Sequence, residues 1–191
     1  RHGEPQGRAV ARLAERLGQG ILSSAISCRH EVGAPEERAG GVDEGGRDSG
    51  NYLFEKEEME EFVKREPKAA SLFHPWYGSV EFIHQKPRYC LWLGDCSPRE
   101  IKEMPLCYER VENVRKVRLE SKRKATLKLA DTPTRFQTEN MPDGDSIIVP
   151  KVSSEKRKYV PMGFISKGTF ASDLVFLIPN ATLYHLRHLR E

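Results

Sequence analysis

Between Val149 and Pro161 the chain reads VPKVSSEKRKYVP, which sets Lys151, Lys156, Arg157 and Lys158 beside two hydroxyls, Ser153 and Ser154, and one carboxylate, Glu155. Hydroxyl, ammonium and guanidinium groups can bond phosphate oxygens. Arg can also pair with guanine O6 and N7, and Glu can accept from cytosine N4. Such a segment can hold DNA and read it. Apolar, strand-like residues bound it on both sides, so it equally suits a solvated, charged hairpin. A second cationic stretch runs from Arg110 to Lys128, where Arg115, Lys116, Arg118 and Lys122 stand among eight basic residues and only two acidic ones, Glu112 and Glu120. Long basic side chains on a helix can simply cover apolar surface with their stems. Two such clusters from separate elements can instead form one phosphate-binding surface.

Other chemistry lacks its residues. Gly40-Gly41 and Gly45-Gly46 follow no strand and make no phosphate loop. No Gly-x-Ser-x-Gly elbow is found. Asp143 and Asp145 flank Gly144 without the rest of a calcium loop, which fits a tight turn. His74 beside Pro75 and Trp76 suits a structural position. Cys90 and Cys96 have five residues between them, wider than a zinc knuckle, and His185 and His188 have no Cys pair near them, so no metal site is expected. Four cysteines in 191 residues do not make a disulfide scaffold, and reduced thiols are expected.

The chain is long enough for one domain with a core of its own. A net charge of +3, from 31 basic and 28 acidic residues, makes it no polycation, so any basic surface must come from clustering. No apolar run reaches the roughly 18 residues of a membrane span, and Gly20 to Ile26 lacks the layout of a secretory signal. A cytoplasmic location is expected.

Composition changes near residue 50. Residues 1–50 hold no lysine, and Glu31 to Gly50 has few apolar residues and many glycines. Such a segment cannot bury enough surface to offset its ordering entropy, so residues 1–50 read as a flexible tail with one short helix from Arg8 to Leu17. Residues 51–191 read as the folded domain. Glu55 to Lys68 predicts a helix with acidic residues first, basic residues last, and Pro67 at its end. Leu72 to Tyr77 and Ser79 to Ile83 follow on either side of Gly78, and Arg88 to Leu93 predicts a buried strand. Ser97, Pro98 and Glu100 predict an N-cap and a short helix to Met104. A longer helix is expected from Leu106 to about Arg123, with Val111, Val114 and Val117 inward and Arg118 close to that side. Strands are expected over Ser146 to Val149, Tyr159 to Ile165 and Leu174 to Ile178. The fold class expected is α+β, a helical N-terminal half packed on a strand-rich C-terminal half.

Five blocks occur in order: HPWYGSVEFI (His74 to Ile83), RYCLWLGD (Arg88 to Asp95), ADTPTRF (Ala130 to Phe136), IIVPKVSSEKRKYVPMGF (Ile147 to Phe164) and ASDLVFLIPNATLYHL (Ala171 to Leu186). Together they resemble the target-recognition domain of MmeI-like type II restriction-modification enzymes, over roughly Phe54 to Leu189. In that family one polypeptide carries a nuclease, an adenine-specific DNA methyltransferase that uses S-adenosylmethionine, and this recognition domain. The resemblance therefore implies a sequence-specific double-stranded DNA module, with the Ser153 to Tyr159 unit at the DNA, Lys151, Ser153, Ser154 and Lys158 on phosphates, and Glu155 and Arg157 as base readers. The family's Asn-Pro-Pro-Tyr-type motif, its Gly-containing cofactor loop and an Asp/Glu-x-Lys nuclease core are not found here. The family also continues past the ATLYH block with a further helical segment, whereas this chain stops at Glu191. The expectation is thus a recognition module without its catalytic core, served by a methyltransferase or nuclease core in cis or in trans. The alternatives are the specificity half of a split methyltransferase, active only with a partner subunit, and a non-catalytic interaction fragment.

Overall fold

Helix α1 (Lys56–Arg65) opens where the sequence places it, with the Glu55 N–H donating to Glu58 Oε2 at 3.0 Å. It ends two residues before Pro67, because a residue preceding proline is pushed out of helical backbone, and Glu66 accordingly has φ −134° and ψ 77°. The structure is a computed structural model and describes residues 51–136, 139–152, 154, 157 and 159–190. The tail reading of residues 1–50, including the helix from Arg8 to Leu17, lies outside the described residues.

A 3-10 turn (Pro67–Leu72) leads into strand β2 (Phe73–Tyr77), followed by α2 (Ser79–His84) and β3 (Arg88–Leu91). Strand β1 (Leu53–Phe54) pairs with β3, β3 pairs antiparallel with β2, and β6 (Phe170–Ala171) joins β2 in parallel. The order β1-β3-β2-β6 means that the helical half owns a sheet, and the C-terminal half supplies its last strand. His74 strengthens that junction. Its Nδ1 donates to the carbonyl of Gly168 at 3.0 Å, and Gly168 holds φ +79°, backbone that glycine adopts without a Cβ penalty.

Ser97 caps α3 (Pro98–Lys102) as expected, accepting from the Glu100 N–H at 3.3 Å while its own N–H donates to Glu100 Oε2 at 2.7 Å. Helix α4 runs from Pro105 to Leu119, shorter than expected, and the chain turns before a separate short helix, α5 (Lys124–Lys128). Tyr52, Phe54, Phe62, Leu91, Leu93, Ile101, Met104, Cys107, Val111 and Val114 form the core around α4. Next to it Trp76, Cys90, Trp92 and Phe170 gather, and Phe136 packs on both groups.

The second sheet has the order β5-β4-β7, from β4 (Ser146–Pro150), β5 (Gly163–Ile165) and β7 (Val175–Ile178). Every residue of β4 is buried, since both faces are covered. Ile148, Ile165 and Val175 pack toward Phe82 of α2, while Ile147, Val149 and Ile178 pack toward Leu186 and Leu189 of α6 (Leu183–Arg190). A one-residue slip would exchange those two sets, so the register is strongly fixed. The strand expected from Tyr159 forms only from Gly163. Pro161 has no N–H for the ladder, and β5 begins two residues after it. The α+β class holds, with a sheet in each half.

Candidate nucleic-acid interface

The connection from Lys151 to Met162 leaves the buried strand β4 and returns as β5; of its described residues Lys151, Val152, Ser154, Arg157 and Tyr159 are exposed, and Val160 and Met162 pack against the core. Its first residue is anchored. The Lys151 N–H donates to the Leu174 carbonyl at 3.0 Å, its Nζ donates to the Asp173 carbonyl, and the ammonium lies 5.0 Å from the centroid of Phe176. Lys151 is still exposed, but its stem is held along the β7 side of the sheet. Further out, the Arg157 N–H donates to the Ser154 carbonyl at 3.0 Å, a tight turn that leaves both residues exposed. The Arg157 side chain makes no ion pair with a described residue. Val152 and Tyr159 are 68% and 73% exposed, so apolar surface flanks the polar turn. Ser153, Glu155 and Lys158 lie outside the described residues.

Helix α4 carries the second cluster, and it corrects one assignment. Its buried residues are Cys107, Val111, Val114 and Arg118. That spacing of four, three and four residues is one helix face, and Arg118 is on it. Only 1% exposed, Arg118 donates through Nη1 to the carbonyls of Leu129 and Thr132, each at 2.9 Å, and through Nη2 to that of Arg135 at 2.8 Å. Its guanidinium is therefore a buried strut and not a DNA contact. The sequence contained the signal, since Arg118 follows Val114 by four residues. Arg110 is a stem over apolar surface, with its guanidinium 5.0 Å from the centroid of Phe54. Arg115, Lys116 and Lys122 are exposed and make no ion pair with any described residue. The helix is seated in the first core and the loop rises from the second sheet, so the two cationic segments stand on separate supports.

Sequence reading missed the base of the loop. Phe176 is 44% exposed and Asp173 offers only its carbonyl, yet these two residues fix the Lys151 side chain. A Phe in the apolar run LVFLI carries no mark distinguishing it from a core residue. Among the described residues no three His, Cys, Asp or Glu side chains gather as a metal site. No helix among them is long and apolar enough to cross a membrane. Burial pushes the Cys90 thiol well above the usual range, and burial together with the Glu66 carboxylate does the same to Cys107, so neither is a ready nucleophile.

The family profile described as "MmeI, target recognition domain" matches residues 41–190, starting earlier than the boundary expected at residue 51. DNA methyltransferase A of Bacillus subtilis (strain 168) is 40% identical over 139 residues, which are 73% of this chain and 16% of that protein. Among solved structures, the type IIL restriction-modification enzyme MmeI in complex with DNA matches with a TM-score of 0.74 and 35% identity, over 78% of this chain and 20% of that one. The chain thus spans about a fifth or less of the length of these relatives.

Proposed function

The chain belongs to the MmeI target-recognition-domain family, and from that premise we propose that it is the module that locates and reads a double-stranded DNA site for a restriction-modification DNA (adenine-N6) methyltransferase. The observation that carries the reading is the basic segment after β4, whose described polar residues Lys151, Ser154 and Arg157 are exposed, next to a central strand that is wholly buried. A methyltransferase that flips its target base out of the stack needs a separate surface to fix register and read the neighbours. The paired strands on either side fix the two ends of the loop, which lowers the entropy lost on binding.

In this reading Arg157 and Glu155 contact base edges, and Ser153, Ser154 and Lys158 contact phosphates. Lys151, tied to Asp173 and Phe176, orients the start of the loop and offers its remaining charge to the backbone. Arg115, Lys116 and Lys122 add contacts that do not depend on sequence. Methyl transfer, with S-adenosylmethionine as cofactor, belongs to a catalytic core in the same polypeptide or in a partner subunit. With DNA as its partner, the chain works in the cytoplasm.

The test is binding to a library of duplexes with the purified chain and its variants. Arg157→Ala should cost about 1–3 kcal/mol and relax preference at a single base pair. Lys116→Ala and Lys122→Ala should each weaken binding to all sequences and flatten its salt dependence by about one unit of slope. Unchanged binding by both Arg157→Ala and Lys158→Ala at every salt concentration would overturn the assignment.

A further inference from the structure

Beyond Leu119 the chain leaves α4, forms α5, passes a 3-10 turn (Leu129–Asp131) and runs back past α4. Three ties hold this elbow. Arg118 grips the carbonyls of Leu129, Thr132 and Arg135. The Tyr52 hydroxyl donates to the Pro133 carbonyl at 2.8 Å. Thr126, on the inner side of α5, is 2% exposed. A buried guanidinium costs several kcal/mol of desolvation unless its N–H groups are matched. Carbonyls of the returning chain supply that match, so the position of the elbow and the burial of Arg118 depend on each other.

The outer side of the elbow is cationic. Lys122, Arg123, Lys124 and Lys128 are exposed and make no ion pair with a described residue, and no acidic residue occurs from Ser121 to Ala130. Four other exposed cations do meet carboxylates, in Lys56–Glu60, Lys68–Glu103, Arg99–Glu103 and Arg135–Glu139, while those of the elbow have no carboxylate in their own segment. Lys124 and Lys128 stand four residues apart in α5. Like charges at that spacing repel, and a dense polyanion relieves the repulsion.

We propose that this elbow is a second, preformed grip on the phosphodiester backbone of duplex DNA. Its contacts are Lys122, Arg123, Lys124 and Lys128, and Arg118 is the positioning residue that holds them. The proposal rests on the DNA-reading role given above and adds residues to it. Such a grip contributes affinity and not sequence preference, since contacts to the phosphate backbone carry no base information.

The test is binding of a fluorescein-labelled duplex of random sequence across a salt series. The double variant Lys124→Ala/Lys128→Ala should flatten the slope of log affinity against log salt by about 1.8, from about 0.9 per phosphate contact. Arg118→Lys keeps the charge but presents its N–H groups from a single nitrogen, without the planar fork by which Nη1 and Nη2 reach separate carbonyls. In that background the same double change should flatten the slope by less than about half as much, whereas Lys116→Ala, on the intact helix α4, should keep its full effect. Thermal unfolding of each variant separates lost positioning from lost folding. A wild-type chain that binds, with an unchanged slope in the double variant, overturns the elbow and leaves the loop reading intact. A full effect of the double change on Arg118→Lys overturns the positioning role. A wild-type chain that binds no duplex at any salt removes the DNA-reading role and the grip with it.

Discussion

Replacing Glu66 tests how the cation-bearing helix α4 is held. The N-cap position of α4 is Met104, which has no side-chain acceptor to offer, and Pro105 is its first residue. The next two N–H groups, of Leu106 and Cys107, instead donate to Glu66 Oε2 and Oε1 at 2.7 and 3.1 Å. A carboxylate from the end of α1, 7% exposed, thus caps a helix that starts about forty residues later. Glu66→Ala removes both bonds and leaves two amide N–H groups without acceptors. Hydrogen bonds to charged groups contribute about 1.5–3 kcal/mol each, and the desolvation of the carboxylate offsets part of this, which puts the expected loss near 3 kcal/mol. Glu66→Gln keeps one acceptor oxygen, turns an NH2 toward the other N–H, and removes the charge facing the helix dipole. Its expected cost is about 1.5–2 kcal/mol. Urea unfolding followed by the fluorescence of Trp76 and Trp92 gives both values, with the slope against urea unchanged. An alanine variant within about 0.5 kcal/mol of the wild type would refute the remote cap. A glutamine variant as stable as the wild type would refute the contribution of charge.

Three further expectations come from the same packing. Phe170 of β6 is 2% exposed and its ring lies 5.2 Å from Trp92 and 5.3 Å from Phe136, so Phe170→Ala should cost about 3–5 kcal/mol and shift tryptophan emission; an unchanged midpoint in urea would sink that view of the junction. Hydrogen bonds from Ser97 hold the Glu100 carboxyl below the ordinary glutamate value of 4.5, so their contribution is present above that pH and disappears as pH falls through the lowered value. The stability gap between wild type and Ser97→Ala should accordingly narrow in acid, and a gap that stays constant from neutral pH to below that range speaks against the cap. A thiol reagent at mildly alkaline pH, read by mass spectrometry of peptides, should label half-buried Cys96 before buried Cys90 and Cys107; equal labelling of all three in the native state contradicts the burial.

Local rules acting over a few residues make much of this protein legible in its sequence. Acidic and basic ends mark α1, the Ser97-Pro98-Glu100 signal marks α3, and the apolar spacing of Val111 and Val114 marks the inward face of α4. The exposed turn at Ser154 and Arg157 is likewise visible, because a dense run of polar and charged residues cannot be buried without partners. The roles of individual cations are not visible. Arg115, Lys116 and Arg118 are chemically alike in the sequence, yet only Arg118 faces three carbonyls supplied by residues 11 to 17 positions away. The chain return that brings those carbonyls near is a tertiary event. Strand ends moved for a similar reason: Pro161 and the pairing of β4 with β5 and β7 decided where the ladder stops.

The sequence by itself determined the α+β class, the Ser97 cap and the exposure of Ser154 and Arg157, since each follows from short-range propensity and the cost of burying charge. Only the tertiary structure decided that β6 completes the sheet of the other half, that Glu66 caps α4, that Lys151 is tied to the base of its loop, and that Arg118 is a strut. Each of these joins residues far apart in the chain, and such contacts are set by the packing of whole elements, which no local pattern records.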